Sequence, residues 1–341
     1  MKDLPELIVL DVGHGNCALL LDTEAVTVFD CPPTTTLLDT LIQLDISTID
    51  QVLISHADFD HASGLLALLD EVTVRKVYIN PDAAKKSKAW REIRAALARA
   101  ETMGTEVYPS LTSVLSRKIR SGQIEIEILA PSSAISLGGA GGEDLEGRNL
   151  TSNSMSVVIG LMHNSHRVAL LPGDMDEVGL DNLLKKRRDI EAQILIFPHH
   201  GGSPGNTKGY EFSQKLSNLV KPDLVIFSLE RHHHFGPNND ENPRDDIMMG
   251  VVSAVPNAHI MCTQLSGKCA AKEPTSDFSH LNILPARGFL NNSCCGGTIL
   301  IRIDGKQTTY IPLLSSHRAF ISNSDNVPTP MCLQQLVKIQ P

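Results

Sequence analysis

Two histidines and two aspartates lie within six residues of one another in the stretch ISHADFDHASG, residues 54–64. His56, Asp58, Asp60 and His61 follow an apolar run and precede a helical pattern, which places them on a turn between a buried strand and a helix. Imidazole and carboxylate groups are good ligands for Zn²⁺, Mn²⁺ and iron, and a turn allows the four side chains to converge. A polar loop with helix-capping aspartates is the alternative interpretation.

Two later segments supply side chains of the same kind. LLPGD ends an apolar strand with Asp174, where α/β proteins gather site residues. The alternative role of this carboxylate is to cap the helix that follows, and one carboxylate could do both. IFPHHGGS ends another apolar strand with His199 and His200, for which a pair of core histidines is the alternative interpretation.

The C-terminal part contains a third set of ligand-type residues. Thiolates and an imidazole can close a structural zinc site with four ligands. The spacing here is irregular and contains no Cys-x-x-Cys, so buried free thiols acting as small apolar side chains are an equal alternative. The candidates for this structural zinc site are Cys269, Cys294, Cys295, His317 and Cys332.

The elements that must position these residues alternate between strand and helix patterns. Apolar runs at 7–13, 17–23 and 25–31 and the run 155–174 predict hairpins, whereas 87–104 predicts a long helix that ends at Gly104. Hairpins imply antiparallel pairing and disfavour a doubly wound parallel sheet. We therefore predict an α/β (α+β) fold, an αββα sandwich of two mixed sheets with helices outside. A late hairpin is predicted within 296–313.

Composition limits the classes of protein that this chain could be. It has 341 residues, 42% of them apolar, and a formal net charge of −9. This charge disfavours a broad electrostatic grip on nucleic acid, although bound divalent metal would reverse the sign locally. The sequence shows neither an export signal nor an apolar stretch long enough to span a bilayer, so we expect a cytoplasmic location and no membrane partner.

Several motifs together carry a family resemblance. His-x-Asp-x-Asp-His after an apolar strand resembles the His-x-His-x-Asp-His signature of the metallo-β-lactamase superfamily. DVGHGN (11–16), AVTVFDC (25–31), NSMSVVI (153–159), LLPGD (170–174) and IFPHHGGS (196–203) occur in the order typical of one branch. That branch comprises the soluble domain of the bacterial competence DNA-uptake channel and its free-standing relatives. The resemblance implies a metallo-β-lactamase-like domain over 1–263, followed by a Cys-containing C-terminal extension, 264–341, packed on it.

The resemblance also implies roles for individual residues. His56 and Asp58 would hold one metal, Asp60 and His61 the other, and Asp174 would bridge both. His199 and His200 would contact the scissile phosphate or a metal.

Three positions depart from the pattern of this branch or of the superfamily. Asn153 stands where other superfamily members have a metal-binding histidine, as is usual in this branch, and His14 replaces the usual Gln near the expected site. Pro237 stands where the final ligand histidine should be, so His232, His233 or His234 would supply it from a shifted position, with His234 preferred.

The functional expectation is a metal-dependent phosphodiesterase, a DNA or RNA nuclease in which two divalent ions, zinc or manganese, or one tight and one loose, activate a water. Asp60, Asp174, His199 and His200 would be the catalytic residues. Another hydrolase with a small phosphodiester or thioester substrate, or a non-catalytic nucleotide- or DNA-sensing module, are the alternatives, because this fold is shared by many activities. The resemblance further implies a nucleic-acid or nucleotide substrate and a protein partner in a bacterial defence system.

Overall fold

The computed structural model describes residues 3–114, 119–187, 189–232, 234–235, 240–272, 278–305, 307–325 and 327–333; the side chains of residues 234, 235 and 240 lie outside the described part. The strands, in chain order, are β1 (Glu6–Val9), β2 (Ala18–Leu21), β3 (Val26–Phe29), β4 (Thr48–Ile49), β5 (Gln51–Leu53), β6 (Thr73–Val74), β7 (Lys76–Tyr78), β8 (Glu106–Tyr108), β9 (Ile119–Arg120), β10 (Glu125–Ala130), β11 (Val158–His163), β12 (His166–Leu171), β13 (Ile194–Ile196), β14 (Leu224–Phe227), β15 (His234–Phe235), β16 (Asp240–Glu241), β17 (His259–Cys262), β18 (Ile299–Asp304) and β19 (Gln307–Ile311).

The helices of the described residues lie mostly between strands in the sequence. They are α1 (Thr36–Gln43), α2 (Phe59–Ala62), α3 (Leu65–Glu71), α4 (Lys88–Thr102), α5 (Ser133–Gly138), α6 (Glu177–Lys186), α7 (Gly209–Val220), α8 (Asp245–Ala254) and α9 (Leu314–Ile321). Short 3-10 helical turns cover Pro198–Gly201 and Arg287–Asn291. The predicted helix over 87–104 is α4, whose N-cap residue Ser87 accepts a hydrogen bond from the backbone N–H of Trp90.

Two mixed sheets form the centre of the fold. The first has eight strands in the order β19-β18-β1-β2-β3-β5-β7-β8, and the second has seven in the order β17-β14-β13-β12-β11-β10-β9. Strands β3, β5, β7 and β8 run parallel in the first sheet, as do β12, β13, β14 and β17 in the second, whereas the remaining pairs are antiparallel. The predicted hairpins at the N-terminus and at 155–174 account for antiparallel pairs in both sheets.

Strand β1 and helix α4 illustrate how the sequence produces the layers. Successive side chains of a strand point to opposite faces, so an uninterrupted apolar strand needs a cover on both sides. Leu7 lies in the core between the two sheets, whereas Ile8 lies in the core beneath the outer helices. Trp90, Ile93 and Leu97, spaced on one face of α4, complete that outer core. Helices α6, α7 and α8 cover the second sheet in the same way. The predicted αββα sandwich is confirmed.

The parallel strands determine where side chains can be gathered. Carboxyl ends of neighbouring parallel strands meet at one edge of a sheet, and loops that leave this edge commonly carry site residues. The segments that follow β3 and β5 in the first sheet and β12, β13 and β14 in the second contain Asp30, His56, Asp174, His200 and Ser228 respectively. The edges of both sheets therefore contribute to one site.

The C-terminal segment is connected to the first sheet. The predicted late hairpin is present as β18 and β19, and β18 pairs antiparallel with β1 from Glu6↔Arg302 to Val9↔Ile299. This hairpin, which the sequence assigned to an extension packed on the domain, thus continues the sheet across residue 264. No helix among the described residues is both long and apolar enough to cross a membrane.

Candidate metal centre

Four ligand-type side chains meet where the two sheets face each other. One ligand atom from each of Asp60, His61, Asp174 and His200 lies within 4.8 Å of the others, and this is the one such group of three or more in the described part of the chain. His61 Nε2 is 3.1 Å from Asp174 Oδ1, and His200 Nε2 is 3.4 Å from Asp60 Oδ2. We call these four residues the central cluster. Two nitrogen and two oxygen ligands suit zinc or manganese.

Asp174 presents its two oxygens to different neighbours. Its Oδ1 faces His61 and His200, whereas its Oδ2 lies 3.9 Å from His56 Nε2 and 3.9 Å from His199 Nε2. His56 Nε2 is also 3.7 Å from Asp58 Oδ2. Asp174 thus stands between the central cluster and a second group that contains His56 and Asp58, as the predicted bridging role requires.

Hydrogen bonds on the far side of each imidazole set which nitrogen faces the centre. His200 Nδ1 lies 2.9 Å from the carbonyl oxygen of Ser228, and His61 Nδ1 lies 2.8 Å from Asp30 Oδ2. Because a carbonyl or carboxylate oxygen only accepts, both Nδ1 atoms must donate, which leaves Nε2 with a lone pair in the neutral ring. Such an outer hydrogen bond is typical of metal-ligating histidines.

His56 and His199 follow the same rule. His56 Nδ1 lies 3.0 Å from Ser55 Oγ, whose own proton is donated to Asp30 Oδ2 at 2.8 Å. His199 Nδ1 lies 2.8 Å from the carbonyl oxygen of Ser203. All four rings are therefore held with Nε2 toward Asp174.

The buried atoms of this site lack partners that a cation would supply. His56 Nε2, His61 Nε2, His200 Nε2 and Asp174 Oδ1 are all buried and have no hydrogen-bond partner. Unpaired buried polar groups are uncommon in native proteins and cost about 1–3 kcal/mol each. Since all four are electron-pair donors that face one another, a divalent cation fits this site.

Electrostatics keep the carboxylates of the central cluster ionised. Burial alone would raise the pKa of Asp174, but the nearby His61 and His200 hold it well below its usual range. Burial would likewise raise the pKa of Asp60, but the nearby imidazoles of His14 and His200 hold it well below that range. Burial lowers the pKa of His61, and Asp174 more than reverses this effect. The centre therefore carries negative charge, which favours the binding of a cation.

Local backbone conformation places the histidine pair and Asp174. His199 and His200 have φ values of 52° and 55°, a left-handed conformation that costs non-glycine residues of order 1–3 kcal/mol each. This turn allows two consecutive residues to reach one site. Gly173, with φ of 57°, precedes Asp174, and a Cβ there would lie 2.7 Å from Ser55 Cβ. Glycine therefore permits the strand end to approach Ser55.

Neither Asp58 nor Asp174 caps a helix through its side chain. Asp58 occupies the N-cap position of α2, but its side chain makes no capping hydrogen bond. Its carboxylate instead pairs with the Lys85 ammonium group. The N-cap residue of α6 is Asp176, whose carboxylate accepts a hydrogen bond from the Gly179 N–H, so Asp174 does not have that role.

The remaining candidates of this site lie at different distances from the cluster. His14 is close, with Nε2 3.1 Å from Asp60 Oδ2. Asn153 lies on the turn before β11, and its carbonyl oxygen accepts a hydrogen bond from Ser156 N–H. His234 lies in β15, but its side chain, like all of His233, is outside the described part, so its role as a ligand stays a prediction.

The cysteine-rich segment divides into two environments. Cys294 Sγ lies 3.8 Å from Asp11 Oδ2, whereas Cys295 Sγ lies 3.2 Å from His317 Nε2. These two consecutive thiols therefore have different neighbours. Cys269, Cys295 and Cys332 line one small apolar cavity together with Cys262. Burial raises the pKa of Cys332 to about 12. These observations favour buried thiols, and structural zinc stays a prediction.

The sequence did not single out two side chains that support the site, Asp30 and Lys85. Asp30 accepts from Ser55 N–H at 2.6 Å, from Ser55 Oγ–H and from His61 Nδ1–H. Asp30 lies in the motif AVTVFDC, whose resemblance had been recognised, which was an available signal. Lys85 carried no signal, because its partner Asp58 is 27 residues away.

Residues 10–160 match the family model of the metallo-beta-lactamase superfamily. ComE operon protein 3 of Bacillus subtilis (strain 168) is 24% identical over 253 residues, which cover 67% of this chain and 29% of that protein. The chain thus spans less than a third of the length of this curated relative.

Two solved structures have similar architecture at low identity. Igni18, a metallo hydrolase from Ignicoccus hospitalis, is 14% identical with a TM-score of 0.45. The match covers 75% of this chain and 94% of the Igni18 chain. The metallo-beta-lactamase fold protein YhfI from Bacillus subtilis is 13% identical with a TM-score of 0.46 and covers 76% and 96% respectively. The match over residues 10–160 is to the metallo-β-lactamase superfamily, whose members are metal-dependent hydrolases, and the αββα architecture of the chain is consistent with that fold.

Proposed function

We propose that this chain is a metal-dependent phosphodiesterase that cleaves DNA or RNA. The observation that carries the proposal is the set of three imidazole Nε2 atoms and one Asp174 oxygen that are buried and unpaired around the Asp174 carboxylate. A bound divalent ion would supply a Lewis acid for phosphate oxygens and would make water more acidic.

The shape of the site suits an anionic substrate. His61 and His200 are buried at its floor, with side chains 0% and 1% exposed, whereas His14 and His199 form its rim at 23% and 33%. In their doubly protonated form, the rim imidazoles can donate hydrogen bonds to phosphate oxygens and stabilise negative charge as it develops. The rim side chains are therefore accessible to a substrate.

The carboxylates have complementary tasks in this proposal. Asp174, with one oxygen toward each group of ligands, would fix the relative positions of the reacting atoms. Asp60 is 21% exposed and lies at the rim beside His14, so its Oδ2 can orient the attacking water by accepting a hydrogen bond from it.

Support for a nucleic-acid substrate comes from the sequence. The motifs described above resemble those of the DNA-uptake branch, and the similarity to ComE operon protein 3 extends over 67% of this chain. The net charge of −9 argues against broad non-specific binding. Recognition would then depend on the site itself.

The test measures cleavage of plasmid, single-stranded DNA, single-stranded RNA and a chromogenic phosphodiester with Mn²⁺, Zn²⁺, Mg²⁺ or chelator. Asp60→Asn is the test variant, and Asp70→Asn, on the exposed side of α3, is the matched control. We expect metal-dependent cleavage that Asp60→Asn reduces about 100-fold or more and Asp70→Asn leaves unchanged.

Other outcomes would redirect the assignment. Hydrolysis of the chromogenic diester without cleavage of any nucleic acid would favour a small phosphodiester, and hydrolysis of a thioester alone would favour that class of substrate. Full activity in Asp60→Asn would contradict the assigned role of this residue. Metal binding without hydrolysis of any of these substrates would exclude the nuclease and favour a sensing module.

A further inference from the structure

Lys85 places a positive charge on one of the candidate metal ligands. It lies between β7 and α4, and its Nζ contacts Asp58 Oδ1 and donates to the carbonyl oxygen of Ala57 at 3.0 Å. The Lys85 side chain is 21% exposed and that of Asp58 35%, so the pair is partly shielded from water. An ammonium group in this position leaves Asp58 Oδ2 directed at His56, but it offsets the negative charge of the carboxylate that a metal would use.

The position of Lys85 is determined by the fold. Its backbone N–H donates to Asp82 Oδ1 at 3.0 Å, and Asp82 Oδ2 accepts from Ser152 Oγ at 2.6 Å. Asp82 is buried, so this connection between the Lys85 loop and the segment before β11 is shielded from solvent. Ser152 is adjacent to Asn153, which stands where superfamily members outside this branch have a histidine ligand. This region therefore contains a lysine and no imidazole at that position.

The two groups of ligands around Asp174 consequently differ. The central cluster has two imidazoles and two carboxylates whose ligand atoms all lie within 4.8 Å of one another. In the second group His56 Nε2 lies 3.7 Å from Asp58 Oδ2 and 3.9 Å from Asp174 Oδ2, and Asp58 is already paired with Lys85. One complete metal position and one incomplete position result.

Charge balance points the same way. Lys85 offsets the charge of Asp58, which leaves the carboxylates of Asp60 and Asp174 to a divalent ion in the central cluster. A second divalent ion at Asp58 would be repelled by the Lys85 ammonium group in a partly buried environment, where repulsion is weakly screened.

We propose that the Lys85 ammonium group takes the place of a second divalent ion at Asp58, so that the centre holds one ion tightly and a second only weakly. This inference rests on metal binding by the central cluster and is independent of the substrate. Lys85 is in this role a positioning residue, because it acts through Asp58.

The test is the stoichiometry of metal binding, measured by calorimetry with Mn²⁺ and by metal analysis after dialysis. Lys85→Leu removes the charge and offers no ligand, Lys86→Leu is the matched control at an exposed neighbour, and Lys85→Arg keeps the charge. We expect one tight ion in the wild type, Lys86→Leu and Lys85→Arg. In Lys85→Leu we expect a second ion bound at least tenfold more tightly than in the wild type, equivalent to about 1.4 kcal/mol.

Three results would overturn the proposal: two tight ions in the wild type, an unchanged stoichiometry in Lys85→Leu, or no tight ion in any of the proteins. Circular dichroism establishes that each variant is folded. If Lys85→Leu does not fold, Lys85→Gln is measured with the same expectation and the same criteria. Because the readout is binding, an absence of nuclease activity would leave the result interpretable.

Discussion

Asp30 allows a direct test of how the fold prepares the histidines. Its carboxylate accepts three hydrogen bonds: Oδ1 from Ser55 N–H at 2.6 Å, and Oδ2 from Ser55 Oγ–H and His61 Nδ1–H, each at 2.8 Å. Asp30→Asn keeps the shape of the side chain but presents an NH₂ group in place of one oxygen. With the amide oxygen retained toward Ser55 N–H, this donor would face His61 Nδ1.

Asp30→Asn should affect both the metal affinity and the free energy of unfolding. The amide repels a protonated Nδ1, so the neutral ring of His61 would shift its proton to Nε2, the atom that faces Asp174. A protonated Nε2 cannot ligate a metal. Loss of such an outer partner typically costs 10–100-fold in metal affinity, about 1.4–2.8 kcal/mol. Separately, two lost hydrogen bonds to a charged acceptor should lower the free energy of unfolding by about 3 kcal/mol.

Calorimetric titration with Zn²⁺ and urea denaturation of the metal-free protein separate these two effects. Asp22→Asn is the control, because Asp22 is also buried and accepts hydrogen bonds from the backbone N–H groups of Thr23 and Ile124, away from the histidines. We expect both variants to be destabilised but only Asp30→Asn to bind metal more weakly. Equal metal affinities in the two variants would refute the tautomer argument.

Three further predictions concern stability. Gly250→Ala in α8 would gain about 1 kcal/mol in helix propensity, but its Cβ would lie 2.0 Å from Ser213 Oγ and 2.5 Å from the Tyr210 carbonyl oxygen in α7, so denaturant titration should show a net destabilisation of about 1–3 kcal/mol. Burial, with a smaller effect from Arg318, lowers the pKa of His259 to about 4, below the ordinary 6.5. Because the unfolded chain then binds the proton more readily, this residue should reduce the free energy of unfolding as pH falls from about 6.5 to 4, and His259→Gln should show a weaker pH dependence than the wild type. Addition of Mn²⁺ at about 100 times its Kd should stabilise the chain by about 2.7 kcal/mol, which excess chelator should reverse in a thermal melt.

Much of the fold could be predicted because its signals are local. Runs such as LIVLDVG and AQILIFPHH are apolar at nearly every position, as strands covered on both faces must be, and they became β1 and β13. The antiparallel hairpins excluded a wholly parallel sheet. The place of the late hairpin was not predictable in this way, because its pairing with β1 joins residues almost 300 positions apart in the sequence, such as Glu6 and Arg302. Sequence periodicity indicates which face is apolar but not which distant strand is the partner.

The candidate site shows the same division. The ligand types and their turn were evident from His56 to His61, and the structure brings Asp174 and His200 to them from the other sheet. The contact between Asp58 and Lys85 was not evident, since a lysine in a polar loop has no pattern that distinguishes it from a solvated one. Likewise, the sequence suggested that adjacent Cys294 and Cys295 could share one zinc site. In the structure, their sulfur atoms instead contact Asp11 and His317 respectively.

The hydrogen bonds behind the histidines bear on whether metal is needed for folding. The Nδ1 partners of His56, His61, His199 and His200 are protein groups that come from segments after several different strands. In a small zinc finger the metal itself organises the ligands, because there is little core to do so. Here the ligands are attached to a sandwich with an apolar core between its sheets and further cores beneath its helices. The energetic cost of orienting the rings is therefore met during folding, and metal binding should require little rearrangement in the central cluster. At Asp58, by contrast, an ion on Oδ2 would lie beside the Lys85 ammonium group on Oδ1, and this repulsion is the physical basis for the unequal affinities that we propose.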